Sequence, residues 1–321
     1  MLNSVDAAVI AAIIAFFICA ALCPLFIPRL VKFKFGQQIR SDGPATHAKK
    51  AGVPTMGGTM IILALIAASA PFLRNNPEGI AVVAVTAAFS LIGFLDDYVK
   101  IKKKRSLGLR AYQKLLAQII VSVAFVVYWK TLPDYSSFLI IPFFHGKTVN
   151  AGFLYPILVC FVFLSSTNGS NLTDGLDGLD AGVTVLITAF FFIAAVRFDS
   201  GALPVIGAAI GSLLGFLLYN SHPARVIMGD TGSLALGGFV ASVSVILRMP
   251  LFLLIVAVIY VFESVSVIIQ VGYFKLTKER FFKMAPIHHS FELSGWPETR
   301  ITSFFCIITV LACLTGYLAL G

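Results

Sequence analysis

Residues 79–95 read GIAVVAVTAAFSLIGFL, and the chain then continues Asp96-Asp97-Tyr98-Val99-Lys100. The run is uncharged and about the shortest helical length, roughly 17 residues, that crosses ~30 Å of hydrocarbon. It ends on two adjacent acids, which are costly near lipid unless they face water or a partner and so usually mark function. The same arrangement recurs along the chain. Approximate apolar spans at 6–25, 57–73, 79–95, 115–130, 152–166, 180–196, 202–219, 233–248, 251–273 and 301–320 predict ten membrane crossings. The chain of 321 residues is 58% hydrophobic and 12% charged, with a mean hydropathy of +0.93. Such a composition excludes a water-soluble domain. The fold class expected is all-α and polytopic, one membrane catalytic domain over 1–321, with a site built from helix ends and short loops.

The net charge of +9 is a topology signal. Of 24 Lys and Arg, only Arg74, Lys130, Lys147, Arg197 and Arg248 fall in loops on the side of the N-terminus; the other 19 fall on the opposite side. The positive-inside rule then places both termini outside and the acid-rich loops in the cytoplasm. Nucleic-acid binding is not expected on this distribution. The start of the chain has no basic residues before its first apolar run, and Pro24, Pro28 and Arg29 follow that run, which reads as a retained anchor. The cysteines Cys19, Cys23, Cys160, Cys306 and Cys313 lie in apolar runs without metal-ligand spacing.

Candidate chemistry gathers in the inner loops. The first contains Lys50 and Val53-Pro54-Thr55-Met56-Gly57-Gly58, a helix start at which Lys50 and Thr55 can hold a phosphate or a polar ring. In the second, Lys100 follows Asp96 by one helical turn, and Lys102 to Arg105 suit anionic headgroups. The third, Asn168-Gly169-Ser170-Asn171-Leu172-Thr173-Asp174-Gly175-Leu176-Asp177-Gly178-Leu179-Asp180, holds three acids and no compensating base. Its i, i+3, i+6 spacing predicts one helical face that binds a cation or a nucleobase, or alternatively a cap on the next helix. The fourth, Met228-Gly229-Asp230-Thr231-Gly232-Ser233, reads as an N-cap whose carboxylate also suits Mg²⁺ beside a phosphate. The last contains Pro286-Ile287-His288-His289-Ser290, a pair able to bind phosphate or move protons. Glu263 and Gln270 share a helix face in the ninth span. These parts fit metal-assisted phosphoryl transfer at a membrane surface; no P-loop is present.

Jointly, the Val53–Gly58, Asp96–Lys100, Asn171–Gly178, Asp230–Gly238 and Ala285–His289 stretches resemble the phospho-N-acetylmuramoyl-pentapeptide transferase family, in family order and over nearly the whole chain. The resemblance implies transfer of phospho-MurNAc-pentapeptide from UDP-MurNAc-pentapeptide to undecaprenyl phosphate in the bacterial plasma membrane, giving lipid I and UMP, with Mg²⁺. It implies a catalytic set of Asp96, Asp97, Asp230 and His288, with Asp230 as Mg²⁺ ligand and Asp97 taking the proton of the lipid phosphate. It places Lys50, Gly175, Leu176 and Asp177 in a uridine pocket. It assigns Thr55, Asn171, Asp174, Asn220, Gln270 and His289 to other nucleotide-side positions, and Lys100 and Lys104 to phosphates. A homodimer is left open as an assembly. Three positions depart from the family pattern: Ser290 replaces a third histidine, Ile227 a phenylalanine that would stack on uracil, and Tyr112 a base that nearby Arg110 can replace. The competing readings are a sister enzyme that loads GlcNAc-1-phosphate on the same lipid and a cation or solute carrier, which would place its acids nearer the bilayer midplane.

Overall fold

The structure is a computed structural model, and it describes residues 3–32, 52–103 and 107–321. Its helices are α1 (Ser4–Lys32), α2 (Gly58–Ser69, extended by a 3₁₀ turn at Ala70–Phe72), α3 (Pro77–Lys102), α4 (Ala111–Trp129), α5 (Tyr155–Thr173), α6 (Leu179–Arg197), α7 (Leu203–Asn220), α8 (Gly229–Ile246), α9 (Leu253–Val256), α10 (Val258–Thr277), α11 (Ile287–Glu292) and α12 (Glu298–Ala319). Among the described residues nine helices are long and apolar enough to cross a membrane, and the shorter Gly58–Phe72 segment is the tenth apolar helix. All ten apolar runs are therefore helical, as expected. One of them is interrupted. The run at 251–273 begins as a 3₁₀ turn at Pro250–Phe252, passes through the one-turn α9, breaks at Ala257 and restarts as α10.

Helix α8 is the axis of the bundle. Nearly its whole length is buried, because small residues let its neighbours approach closely: Gly232 packs on Gly58 of α2, and Gly237 on Ser166 and Thr167 of α5. Within a membrane, such small-residue contacts give helices their van der Waals packing in place of a hydrophobic driving force. Gly207, Gly211 and Gly215 likewise form a stripe on α7 that seats the backbone carbonyls of Ala8, Ala12 and Phe16 in α1.

A short antiparallel hairpin, β1 (Phe138–Ile140) and β2 (Thr148–Asn150), joins α4 to α5 and was not foreseen. It is tied to the bundle by Ile140 N–H donating to the Arg248 carbonyl at 2.8 Å. Ser4 Oγ lies 3.4 Å from Asp199, and Arg197 donates to the Gly321 carbonyl at 2.6 Å. The start of α1 and the end of α12 thus sit with the Arg197–Asp199 turn. A cavity of about 770 Å³ at that end is lined by Asn76, Glu78, Asp134, Arg197 and Arg248, and none of the clustered acids borders it. Those acids gather at the opposite ends of the helices.

Candidate active site

The amino end of α8 organises the site. Its approach is fixed by a ladder in which Ile227 N–H donates to the Pro54 carbonyl at 2.8 Å, Gly57 N–H to Ile227 at 2.9 Å and Gly58 N–H to Met228 at 2.9 Å. The first backbone N–H groups of a helix have no partner within it. Here three in succession meet carboxylates from other elements. Gly229 N–H donates to Asp174 at 3.1 Å, Asp230 N–H to Asp97 Oδ1 at 3.3 Å, and Thr231 N–H to Asp97 Oδ2 at 2.9 Å. Thr231 Oγ1 adds a fourth bond to Asp97 Oδ2 at 2.7 Å. The charge of Asp97 at this end complements the helix dipole. Asp230 is therefore not the cap of its own helix, as its sequence suggested: it stands in the first turn, and Asp97 and Asp174 cap it from outside.

Asp230 itself turns toward two ammonium groups. Lys114 Nζ is 2.7 Å from Oδ2, and Lys100 Nζ is 3.0 Å from Oδ1. Lys100 also meets Asp96 at 2.7 Å, the i,i+4 contact expected on α3, and Asp97 at 3.5 Å. Asn171 donates to Asp230 Oδ1 at 3.1 Å and accepts from Lys114 at 3.2 Å. Asp96 accepts in addition from Leu109 N–H at 2.8 Å. One oxygen from each of Asp96, Asp97 and Asp230 lies within 4.8 Å of the others. Three carboxylates are hard oxygen donors of the kind that hold Mg²⁺, and the Lys100 ammonium stands among them as a cation already does. The donor set thus fits the expected ion. Lys114 was read only as a topology charge; its signal is its place in the first turn of α4, which the sequence alone does not aim at Asp230.

The acids of the Asn168–Asp180 loop do not share one helical face. Asp174 ends α5, Asp177 lies in the turn, and Asp180 begins α6, so the chain reverses between them. Nor does either of the first two cap α6, whose N-cap is Gly178 at φ +72° with no side-chain cap. Burial, with Asp180, Asp230 and Asp97 close by, pushes the Asp174 carboxyl well above the usual range. Asp177 Oδ2 accepts from Ala224 N–H at 3.0 Å and lies 3.1 Å from His222 Nδ1, while Asp177 N–H donates to Glu298. His222 and Glu298 went unread in the sequence. Asn220 spans this loop and the next, accepting from Gly178 N–H at 3.1 Å and donating to the Val226 carbonyl at 2.9 Å.

His288 is fully buried and lies 3.0 Å from Glu263 of α10 through Nδ1. Its Nε2 rests on the turn after Asp174, where a Cβ added to Gly175 would come within 2.1 Å of it. The turn after Asp174 thereby links the start of α8 to His288: Asp174 bonds the start of α8, and its neighbour Gly175 abuts His288.

The family model for glycosyl transferase family 4 matches residues 79–248, which carry Asp96, Asp97, Lys114, Asn171, Asp177 and Asp230. Phospho-N-acetylmuramoyl-pentapeptide-transferases match almost end to end. That of Clostridium kluyveri is 49% identical over 311 residues, covering 96% of this chain and 98% of its own. Those of Clostridioides difficile and Acetivibrio thermocellus are each 48% identical, covering 94% and 96% of this chain and 94% of their own. The chain belongs to the phospho-N-acetylmuramoyl-pentapeptide-transferase family.

Against that transferase family's pattern, the structure brings together Asp96, Asp97, Lys100, Asn171, Asp174 and Asp230, with Thr55 beside Gly229 and Asp97. Asp177 with Asn220, and Gly175 with His288 and His289, flank them, and Leu176 is buried between. Gln270 stands apart, its Oε1 accepting from Phe282 N–H at 2.8 Å, so it holds the segment before α11, while Glu263 of the same helix meets His288 within α11. Ser290, where the transferase family carries a third histidine, closes a turn with both the N–H and the carbonyl of Met284. Ile227 is spent on the backbone ladder and is nearly buried, and Tyr112 is exposed beside Arg110. Lys50 and Lys104 lie outside the described residues.

Proposed function

We propose that this chain transfers phospho-MurNAc-pentapeptide from UDP-MurNAc-pentapeptide to undecaprenyl phosphate, releasing UMP and forming lipid I, with Mg²⁺ held by Asp96, Asp97 and Asp230. The observation that carries the reading is the convergence of these three carboxylates within 4.8 Å at the amino end of α8, with Lys100 and Lys114 on them. Bound there, Mg²⁺ supplies neutralisation of the diphosphate oxygens and of the leaving phosphate. Lys100 and Lys114 bring two further positive charges to the same oxygens. Asp97 Oδ1, whose neighbours are the more distant ones at 3.3 and 3.5 Å, is the oxygen that takes the proton of the lipid phosphate. Asp177, on the far side of Gly175, orients the nucleoside. The exposed apolar helix surface beside these groups, including Leu91, Phe94 and Leu95 of α3, receives the polyprenyl tail. The excess of Lys and Arg at this end of the helices supports a cytoplasmic site in a bacterial plasma membrane.

The purified full chain, given undecaprenyl phosphate and UDP-MurNAc-pentapeptide, is expected to release UMP in the presence of Mg²⁺ and not after its removal. Turnover of UDP-GlcNAc alone would replace the muramoyl reading with the sister reaction. Ion flux into vesicles without UMP release would replace both with a carrier.

A further inference from the structure

Glu263 is a carboxylate in the middle of the chain's ninth apolar run, and it is 0% exposed. An acid so placed is costly without a partner. Its Oε1 is 3.0 Å from His288 Nδ1, and its buried Oε2 has no hydrogen-bond partner. His288 Nε2 is 3.2 Å from His289 Nε2, and His289 Nδ1 is 2.7 Å from Glu292 Oε2. Two carboxylates and two imidazoles therefore stand in a row across α10 and α11.

The row can be counted in protons. Each of its three contacts is attractive only with a hydrogen between the heavy atoms. Both carboxylates accept an Nδ1–H, which uses the single N–H of each neutral ring. The two Nε2 lone pairs would then face each other at 3.2 Å and repel. A third proton between them removes the repulsion; with both carboxylates ionised, the two rings then carry three protons and one positive charge, and the row as a whole carries one negative charge. The shared proton lies against Gly175, where any side chain would strike His288 Nε2.

We propose that Glu263 is a positioning residue: by accepting His288 Nδ1–H it holds His288 and His289 as a pair sharing one proton beside Gly175, and so presents a fixed cation to the diphosphate of the bound nucleotide. The diphosphate part rests on the function proposed above; the proton count does not. The pattern matches imidazoles elsewhere whose tautomer is set by a carboxylate on the opposite nitrogen.

The test uses the full chain in lipid nanodiscs, labelled with ¹⁵N-histidine, with His288→Gln and His289→Gln to assign the resonances. The wild type is expected to show both Nδ1 atoms protonated and one proton exchanging between the two Nε2 atoms. Glu263→Gln keeps an acceptor but removes the charge, and is expected to abolish the proton exchanging between the two Nε2 atoms and to lower kcat about 10- to 100-fold, as removal of an orienting partner commonly does. KM for the UDP substrate should stay within about threefold, because Asp177, assigned to the nucleoside, is untouched. Glu263→Asp should recover part of kcat. Should Glu263→Gln not fold, Gly175→Ala displaces His288 from its other side with Glu263 intact, and is expected to remove the shared-proton signal. An unprotonated His288 Nδ1 in the wild type, or Glu263→Gln turnover within about twofold of wild type, overturns the proposal. Absence of UMP release by the wild type would instead sink the function proposed above and leave the spectrum to judge the proton count.

Discussion

Thr231 turns both its backbone N–H and its hydroxyl onto one oxygen of Asp97, at 2.9 and 2.7 Å, across 134 residues of sequence. The bond locks α3 to the start of α8, and so fixes the spacing of Asp97 and Asp230. Thr231→Val keeps the shape and the backbone bond and removes only the hydroxyl. A hydrogen bond to a charged group contributes about 1.5–3 kcal/mol. Thr231→Val is expected to unfold at lower temperature in detergent by that order, and Thr231→Ser to stay near wild type. Equal stability of the two variants would show that the hydroxyl contributes nothing to the cap.

Asp230 is held by Lys100, Lys114 and Asn171, and none of these depends on it alone. Lys100 keeps Asp96 and Asp97, and Lys114 keeps Asn171. Asp230→Asn should therefore fold, with turnover reduced by about 10²-fold or more, the scale on which a lost electrostatic stabiliser acts. UMP release measured across a Mg²⁺ titration checks this. Full Mg²⁺-dependent turnover in the variant would remove Asp230 from the ion site.

Asp177 does two things, and its substitutions separate them. Its carboxylate accepts from Ala224 N–H and faces His222. Asp177→Asn preserves one acceptor for Ala224, whereas Asp177→Ala leaves that N–H unpaired. Asp177→Ala is expected to raise KM for the UDP substrate with a smaller change in kcat. Unchanged affinity by calorimetry with UDP-MurNAc-pentapeptide would take it out of the nucleoside pocket.

The helices were legible because lipid demands long apolar runs, and the ten runs read from residues such as 79–95 all became helices. The break at Ala257 was not, since nothing in Pro250 to Val258 interrupts the hydropathy. Asp96, Asp97, Asp174 and Asp230 could be singled out by their cost, but cost gives no direction. Spacing made Asp174, Asp177 and Asp180 one face, and the turn at Gly178 scattered them. The capping of α8 by Asp97 and Asp174, and the pairing of Lys114 with Asp230, join residues far apart in sequence, where local pattern is silent. Glu263 was seen as a polar residue on α10, but its partner His288 lies on another helix.

The raised Asp174 carboxyl has a consequence for pH. A group that holds its proton more tightly folded than unfolded adds stability that is full below the unfolded value and is lost as pH rises through the folded one. For an aspartate the unfolded value is about 3.9, so the loss begins above it. Asp174→Asn mimics the protonated acid and can still accept from Gly229 N–H. Its unfolding temperature is expected to gain steadily on that of the wild type as pH is raised, with little difference in acid. A gap that does not change with pH, or that narrows, would show that Asp174 is ionised in the folded chain.

Gly93 tests how closely the site depends on helix packing. A Cβ at this position of α3 would lie 2.0 Å from the Asp230 carbonyl oxygen and 2.6 Å from Thr231 N, both backbone atoms that cannot swing aside. Gly93→Ala must therefore part α3 from α8, and Asp96 and Asp97 move with α3. Overpacking of this kind costs about 1–3 kcal/mol. The same shift, on the order of 1 Å at the carboxylates, can cost about 10²-fold in rate. Gly272 of α10 is the control, because a Cβ there meets nothing within 4 Å and relieves a helix-interior glycine. Gly272→Ala is expected to retain turnover and stability, and Gly93→Ala to lose both. If Gly93→Ala turned over at the wild-type rate, the close approach of α3 to Asp230 would have no part in setting the carboxylates.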